Sequence, residues 1–213
     1  MRAKNFWGYG EFSDTISIKA STIPEKIEAP ITTVDYATGG IKVNWVEPDD
    51  NSDTITAYLI EAQLPDNSWA EICDGSDSEI IANRECIIPM ATFWDAATYN
   101  KQFMDLVQFR VSAYNIKGWG PESDPNTDGA IVKTTPLSMN APLRDSLTND
   151  KEIFVYWEPI ETDLETGAST IISYGLQWDD GSAGATWSDI DGYLVDKVAT
   201  QFTISGVTPG QIY

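Results

Sequence analysis

The stretch NIKGWGPES at 115–123 returns near the start of the chain as NFWGYGEFS at 5–13. Ala3, Asn5, Gly8, Gly10 and Ser13 each stand 110 positions before Ala113, Asn115, Gly118, Gly120 and Ser123. IPEKIEAP at 23–30 returns as TPLSMNAP at 135–142, each with two prolines six apart. Trp45 in IKVNWVEP falls on Trp157 in IFVYWEP, Tyr58 on Tyr174 and Trp69 on Trp187. The order never changes while the offset drifts from 110 to 118, as loop insertions between fixed elements would produce. A period this long is that of a domain and not of a solenoid repeat. The chain must therefore fold as successive copies of one domain-sized unit.

The elements inside each copy read as strands. Ile41, Val43 and Trp45 alternate, as do Val107, Phe109 and Val111, and Ile153, Val155 and Trp157. Short alternating runs broken by Gly, Pro, Asp and Asn are the mark of half-buried antiparallel strands. No long amphipathic helix is evident; TFWDAATYNKQFM at 92–104 has room for one short turn. With 42% hydrophobic residues the chain can bury sizeable cores, and eight Trp and nine Tyr suit β-rich folds. The expected class is all-β, built of tandem immunoglobulin-like antiparallel β-sandwiches.

These marks together resemble fibronectin type III repeats. They are the proline that opens a copy, the Trp of the second strand followed by Glu-Pro, the Ile-x-x-Tyr of the third, and FRVSAYNIKGWGPES, which looks like the family's F strand and F–G turn. The resemblance covers almost the whole chain. It implies that residues 1–23 are the C-terminal remnant of one repeat (the end of strand F and strand G, Thr15 to Ala20), that 24–135 are a complete repeat, and that 136–213 are a repeat stopping before strands F and G. It places Trp45, Tyr58, Trp157 and Tyr174 in cores. VTPGQIY at 207–213 is similar to the family's Leu-x-Pro-Gly-x-x-Tyr, which makes Tyr213 a tyrosine corner. In the middle copy Val107 stands at that position, so the corner hydrogen bond is either missing or supplied by another residue such as Tyr99. The longer linking segments of this copy look like fibronectin III repeats in large ciliate proteins.

Charge and residue types narrow the function. A formal net charge of −20 repels phosphate backbones and anionic lipids, so nucleic acid is not an expected partner. No apolar run is long enough to insert this segment directly into a membrane. The chain has no His, which removes the commonest general base and zinc ligand. No nucleophile elbow, phosphate loop or His-based triad occurs, and the scattered carboxylates single out no catalytic pair. Neither an enzyme activity nor a cofactor is expected.

Four features remain as candidate sites. Cys73 and Cys86, the only cysteines, suit one disulfide, which implies an oxidising compartment; two buried thiols are the alternative. DPNTDG at 124–129 has the front half of a calcium loop, with Asp124, Asn126 and Asp128 as the ligands, but Thr135 stands where a bidentate Glu belongs. The same residues read equally as a turn inserted in strand G. Trp119 in the F–G turn and its counterpart Tyr9 form a candidate binding loop, since F–G loops often carry binding in this family, or else they pack on a neighbouring strand. The reading that follows is a non-catalytic spacer and adhesive module of a larger extracellular or cell-surface protein, secreted or membrane-anchored. Its partners would be adjacent fibronectin III repeats and an unidentified protein. Alternatives are a calcium-dependent adhesion array and an accessory domain of a multidomain enzyme.

Overall fold

The structure is a computed structural model that describes residues 1–213. It contains two compact units, Met1–Ile131 and Val132–Tyr213. In the first unit the strands are β1 (Lys4–Asn5), β2 (Gly8–Tyr9), β3 (Ile31–Asp35), β4 (Gly40–Asn44), β5 (Ala57–Gln63), β6 (Trp69–Cys73), β7 (Glu85–Pro89), β8 (Phe109–Asn115) and β9 (Gly118–Trp119). Helix α1 (Ser78–Asn83) lies between β6 and β7, and α2 (Ala91–Trp94) follows β7. The second unit holds β10 (Leu143–Arg144), β11 (Glu152–Tyr156), α3 (Asp163–Thr166), β12 (Leu176–Trp178), β13 (Ser188–Asp191) and β14 (Gln201–Ser205).

Two antiparallel sheets make up the body of the first unit, one in the order β3-β4-β7 and the other β6-β5-β8-β9. In fibronectin type III lettering these are strands A-B-E and C′-C-F-G, so the unit has the fibronectin type III sandwich. Alternation decides which side chains face inward. Ile41 and Val43 of β4 are fully buried, with Trp45 just beyond the strand also buried, and so are Ile60 of β5 and Phe109 and Val111 of β8. The pairing of β5 with β8 sets a large residue against a small one at two places, Tyr58 opposite Ala113 and Ala62 opposite Phe109, with Ile60 opposite Val111 between them. That interdigitation lets a thin sandwich fill its interior at native density.

The second unit repeats part of this plan. Its sheet β10-β11-β14 has the A-B-E order and its hairpin β12-β13 the C-C′ order. Trp157 is buried and lies 6.1 Å from the Tyr174 ring, as Trp45 lies 5.1 Å from Tyr58. No strand pairs with β12 on the side where β8 pairs with β5. Accordingly Ile153 and Val155, the counterparts of the fully buried Ile41 and Val43, are only half-buried.

Three details differ from the expectation. The strand read at Thr15–Ala20 does not form, because residues 10–22 have no ladder partner and a lone extended segment is not a strand. The acidic link before Cys86 contains α1, whose N-terminus is capped by Asp77 accepting the Glu79 N–H at 2.7 Å. It closes on Arg84 in the left-handed conformation, φ 54°. The short turn at 92–104 is present only as the four residues of α2, one residue earlier than read.

Candidate functional site

The β6-β5-β8-β9 sheet of the first unit carries one cluster of accessible aromatic and charged groups. Trp119 on β9 stands directly across from Tyr114 on β8, rings 5.0 Å apart. Trp119 packs against that neighbouring strand and yet remains 45% exposed, so packing and availability coexist. Its place is fixed by the turn below it. Asn115, wholly buried, accepts the Lys117 N–H at 2.8 Å and donates its amide to the carbonyls of Thr22 (2.8 Å) and Asp50 (3.1 Å). Further along the same face Arg110 donates Nε–H to Glu61 Oε2 at 2.7 Å, and its guanidinium lies 4.9 Å from the Trp69 ring. Three neighbouring strands thus present an ion pair capped by an indole. Such a pair is both charge-assisted and stacked. Sequence reasoning missed this trio, since Glu61, Trp69 and Arg110 become neighbours only once the register of three strands is known.

Tyr9, the counterpart of Trp119, lies on β2 with the Arg2 guanidinium 4.3 Å and the Lys4 ammonium 5.0 Å from its ring. Trp119 and Tyr9 occupy equivalent places in two separate hairpins and do not form one surface patch.

The acidic turn is organised around Asn126. This side chain is buried and turned inward: Oδ1 accepts the Phe109 N–H at 2.7 Å, and Nδ2 donates to Val107 O at 3.1 Å and Asp128 O at 2.9 Å. Its oxygen is committed to strand β8. The Asp124 carboxylate points outward to Lys26, 2.8 Å away. Gly129, at φ 112°, passes so close to Thr32 that an added Cβ would lie 2.2 Å from its hydroxyl. The geometry is that of an insertion pinned to the sandwich by one amide. No group of three or more carboxylate, Cys or His side chains is placed to hold a metal ion.

Cys73 and Cys86 are bonded to each other, with Cα atoms 6.6 Å apart. Cys73 ends β6 in one sheet and Cys86 lies on β7 in the other, so the bond staples the two sheets along one edge and encloses α1.

Trp45 and Trp157 are core residues whose indole nitrogens are buried without a hydrogen-bond partner. Burial raises the Tyr58 phenol above its usual range, and the Glu47 carboxylate adds to this. The Trp45 indole N–H opposes both, lying near the hydroxyl without a hydrogen bond of ordinary geometry. Tyr174 uses its hydroxyl to accept the Ile160 N–H at 3.3 Å. Tyr213 accepts the Thr208 N–H at 2.7 Å, five residues back, and its ring stacks on Trp178. At the equivalent place in the first unit Val107 is fully buried, while Tyr99 is held by its ring, 5.4 Å from Phe93.

A glycine in each unit was also overlooked. A Cβ on Gly75 would lie 1.8 Å from the Tyr58 carbonyl oxygen, and one on Gly192 1.9 Å from that of Tyr174. EICDG at 71–75 and DIDG at 189–192 carry the signal, since each ends in an Asp-Gly whose glycine stands six or five residues after a matched Trp, Trp69 and Trp187.

No protein-family profile matches the chain. A curated relative, the juxtamembrane domain-associated catenin of Caenorhabditis elegans, is 26% identical over 205 residues, covering 91% of this chain and 15% of that protein. The chain thus spans about one seventh of that relative's length. Among solved structures it is similar to domains A168–A170 from titin, at 20% identity over 62% of this chain and 39% of that one, TM-score 0.40. It is similar to the sixth fibronectin type III domain from human fibronectin type III domain containing protein 3, at 22% identity over 56% and 97%, TM-score 0.38. It is also similar to the chicken CNTN1 FN1-FN3 domains, at 14% identity over 99% and 64%, TM-score 0.42.

Proposed function

We propose that this chain is a non-catalytic structural and protein-interaction module, with tandem fibronectin type III sandwiches serving as spacer and adhesive surface in a larger extracellular or cell-surface protein. The repeats run over 24–135 and 136–213, preceded by the remnant of another at 1–23. The observation that carries the reading is the Cys73–Cys86 bond, which joins the two sheets of one sandwich. A staple of this kind persists where the surroundings are oxidising and is rare in reducing compartments. The exposed Trp119 and the Trp69–Arg110–Glu61 trio supply the aromatic and guanidinium groups that anchor protein interfaces. The acidic surface favours a basic partner.

The test is the thiol state of the protein isolated from its natural source under acid quench. Intact mass after alkylation without reductant should show no added label, and after reduction two. Two labels before reduction would defeat the extracellular reading. No observation favours the calcium-dependent array, because the oxygen of Asn126 is already engaged by the Phe109 N–H.

A further inference from the structure

Flexible linkers are rich in Gly and Ser. The two segments that lead into repeats, STIPE at 21–25 and KTTPL at 133–137, contain no glycine and one serine between them. In each a β-branched residue precedes a proline, Ile23 before Pro24 and Thr135 before Pro136. Proline fixes its own backbone and holds the residue before it extended. The next N–H, that of Glu25 or Leu137, is thereby presented in one direction. Both meet an equivalent partner in the loop between the Trp strand and the Tyr strand. Glu25 N–H donates to Asp49 O at 2.9 Å, and Leu137 N–H to Glu165 O at 2.8 Å. Asp49 stands nine positions before Tyr58, and Glu165 nine before Tyr174.

The receiving loops reach one conformation from different sequences. Asn51 and Ser52 are consecutive residues with positive φ, 49° and 72°, and so are Gly167 and Ala168 at the matched positions, 67° and 56°. In the first loop the Asp49 and Asp50 carboxylates accept the N–H of Asn51 and of Ser52, each at 2.8 Å. In the second the turn is the end of α3, which Thr162 and Glu165 cap. Each copy then adds further holds on the entering segment. Asn51 and Asn115 donate side-chain amides to Ile23 O and Thr22 O, both at 2.8 Å. Thr134 N–H donates to Gly167 O at 3.2 Å, and Lys133 Nζ to Ala168 O. The fit is close in both. A Cβ on Gly167 would lie 2.1 Å from Thr134 O, and one on Gly120 2.6 Å from Pro24 O.

We propose that residues 21–25 and 133–137 are clasps: each repeat holds the chain that enters it on the loop before its Tyr strand, and this hold opens and closes while the strands behind it stay folded. Closed, the clasp leaves no slack in the entering chain. Open, it turns those residues into a short tether, so the clasp sets the stiffness of the spacer. Opening is local because the bonds lie at the surface. Thr22, Ile23 and Glu25 are exposed, as are Thr135, Pro136 and Leu137, whereas Ile41 and Val43 of β4 are fully buried. Water can replace an exposed bond, and a segment with few buried contacts opens far more often than the whole fold. The inference rests on the repeats proposed above but on neither their compartment nor their partner, so a chain with free thiols would leave it standing.

Amide hydrogen exchange of the full chain, followed residue by residue by NMR, tests this. The Glu25 and Leu137 amides should exchange on the order of tenfold to a hundredfold more slowly than in the urea-unfolded chain, yet faster than the amides of the β4–β7 and β11–β14 ladders. Two variants open one clasp each. Gly167→Ala sets a methyl against Thr134 O, so exchange at Thr134 and Leu137 should speed up about tenfold while Glu25 is unchanged. Asn51→Gly keeps the positive φ and removes the amide that holds Ile23 O, so Glu25 should speed up severalfold while Leu137 and the β4–β7 ladder are unchanged. Glu25 and Leu137 amides that exchange as in the unfolded chain overturn the proposal, because nothing then holds the segments. Amides that exchange only as slowly as the ladders overturn it too, because the clasp then never opens alone. So does an Asn51→Gly chain whose Glu25 rate is that of the unaltered protein.

Discussion

Replacing Asn126 by Ala separates a structural turn from a metal loop. The side chain is buried, and its bonds satisfy the N–H of Phe109 and the carbonyl of Val107 within the sandwich. Truncation leaves both groups without that partner in a place water does not reach. Each such loss costs about 1–3 kcal/mol, so the pair sums to roughly 3 kcal/mol. That is a large part of the 5–15 kcal/mol or so that a domain has to spend before it unfolds. With a urea slope of about 1–3 kcal/mol per molar, the midpoint of the first unit should fall by about 1–3 M. Asp124→Ala and Asp128→Ala should stay within about 0.5 kcal/mol of the unaltered chain, because the Asp124–Lys26 pair is a surface ion pair and the Asp128 carboxylate holds no part of the turn. Asn126→Asp is the sharper variant. It keeps an acceptor for the Phe109 N–H, loses the amide donors and buries a charge, so it should destabilise at least as much as Ala. A calcium loop predicts the reverse: a carboxylate there should tighten the ion, and EDTA should lower the midpoint of the unaltered chain. An Asn126→Ala midpoint within 0.2 M or so of the original, or a shift on adding EDTA, would refute the structural account.

The core indoles give a second check: Trp45→Ala should cost about 3–5 kcal/mol, and calorimetry showing a loss of only a few tenths would mean that β4 does not face the core. Trp157→Ala should cost less than Trp45→Ala, because its neighbours Ile153 and Val155 are only half-buried and part of the cavity opens to water. Gly75→Ala should destabilise by about 1–3 kcal/mol, since its methyl would overlap the Tyr58 carbonyl; a variant as stable as the original in urea would show that the β5–Gly75 approach is looser than drawn.

Legibility followed locality. The alternation of Ile41, Val43 and Trp45, and of Val107, Phe109 and Val111, exposes the strands because period two is written in adjacent residues. The F–G hairpin is legible for a stronger reason. Residues 3–13 hold its hydrogen bonds without a sandwich around them, so Asn5, Gly8 and Gly10 encode the turn on their own. What was hidden needed either a third dimension or a partner. Ile16 and Ile18 carry a strand pattern, yet a pattern is only a face, and with no ladder beside it the segment is not a strand. Helix α1 was hidden because its six residues bury nothing, so no apolar period marks it and only the Asp77 cap gives it away. Glu61, Trp69 and Arg110 are scattered over fifty residues and meet through two strand registers. The spacing of DPNTDG matches a calcium loop while the direction of one side chain does not, and spacing carries no direction. Repetition is what turned weak local signals into an architecture here. Two copies that differ at most surface positions still keep Trp against Tyr and a glycine against that Tyr's carbonyl. A residue kept twice within one chain at a point where nothing larger fits is constrained by the backbone. Trp119 and Tyr9, which differ while their hairpins coincide, stand where the backbone leaves the choice open, and recognition can act on such positions.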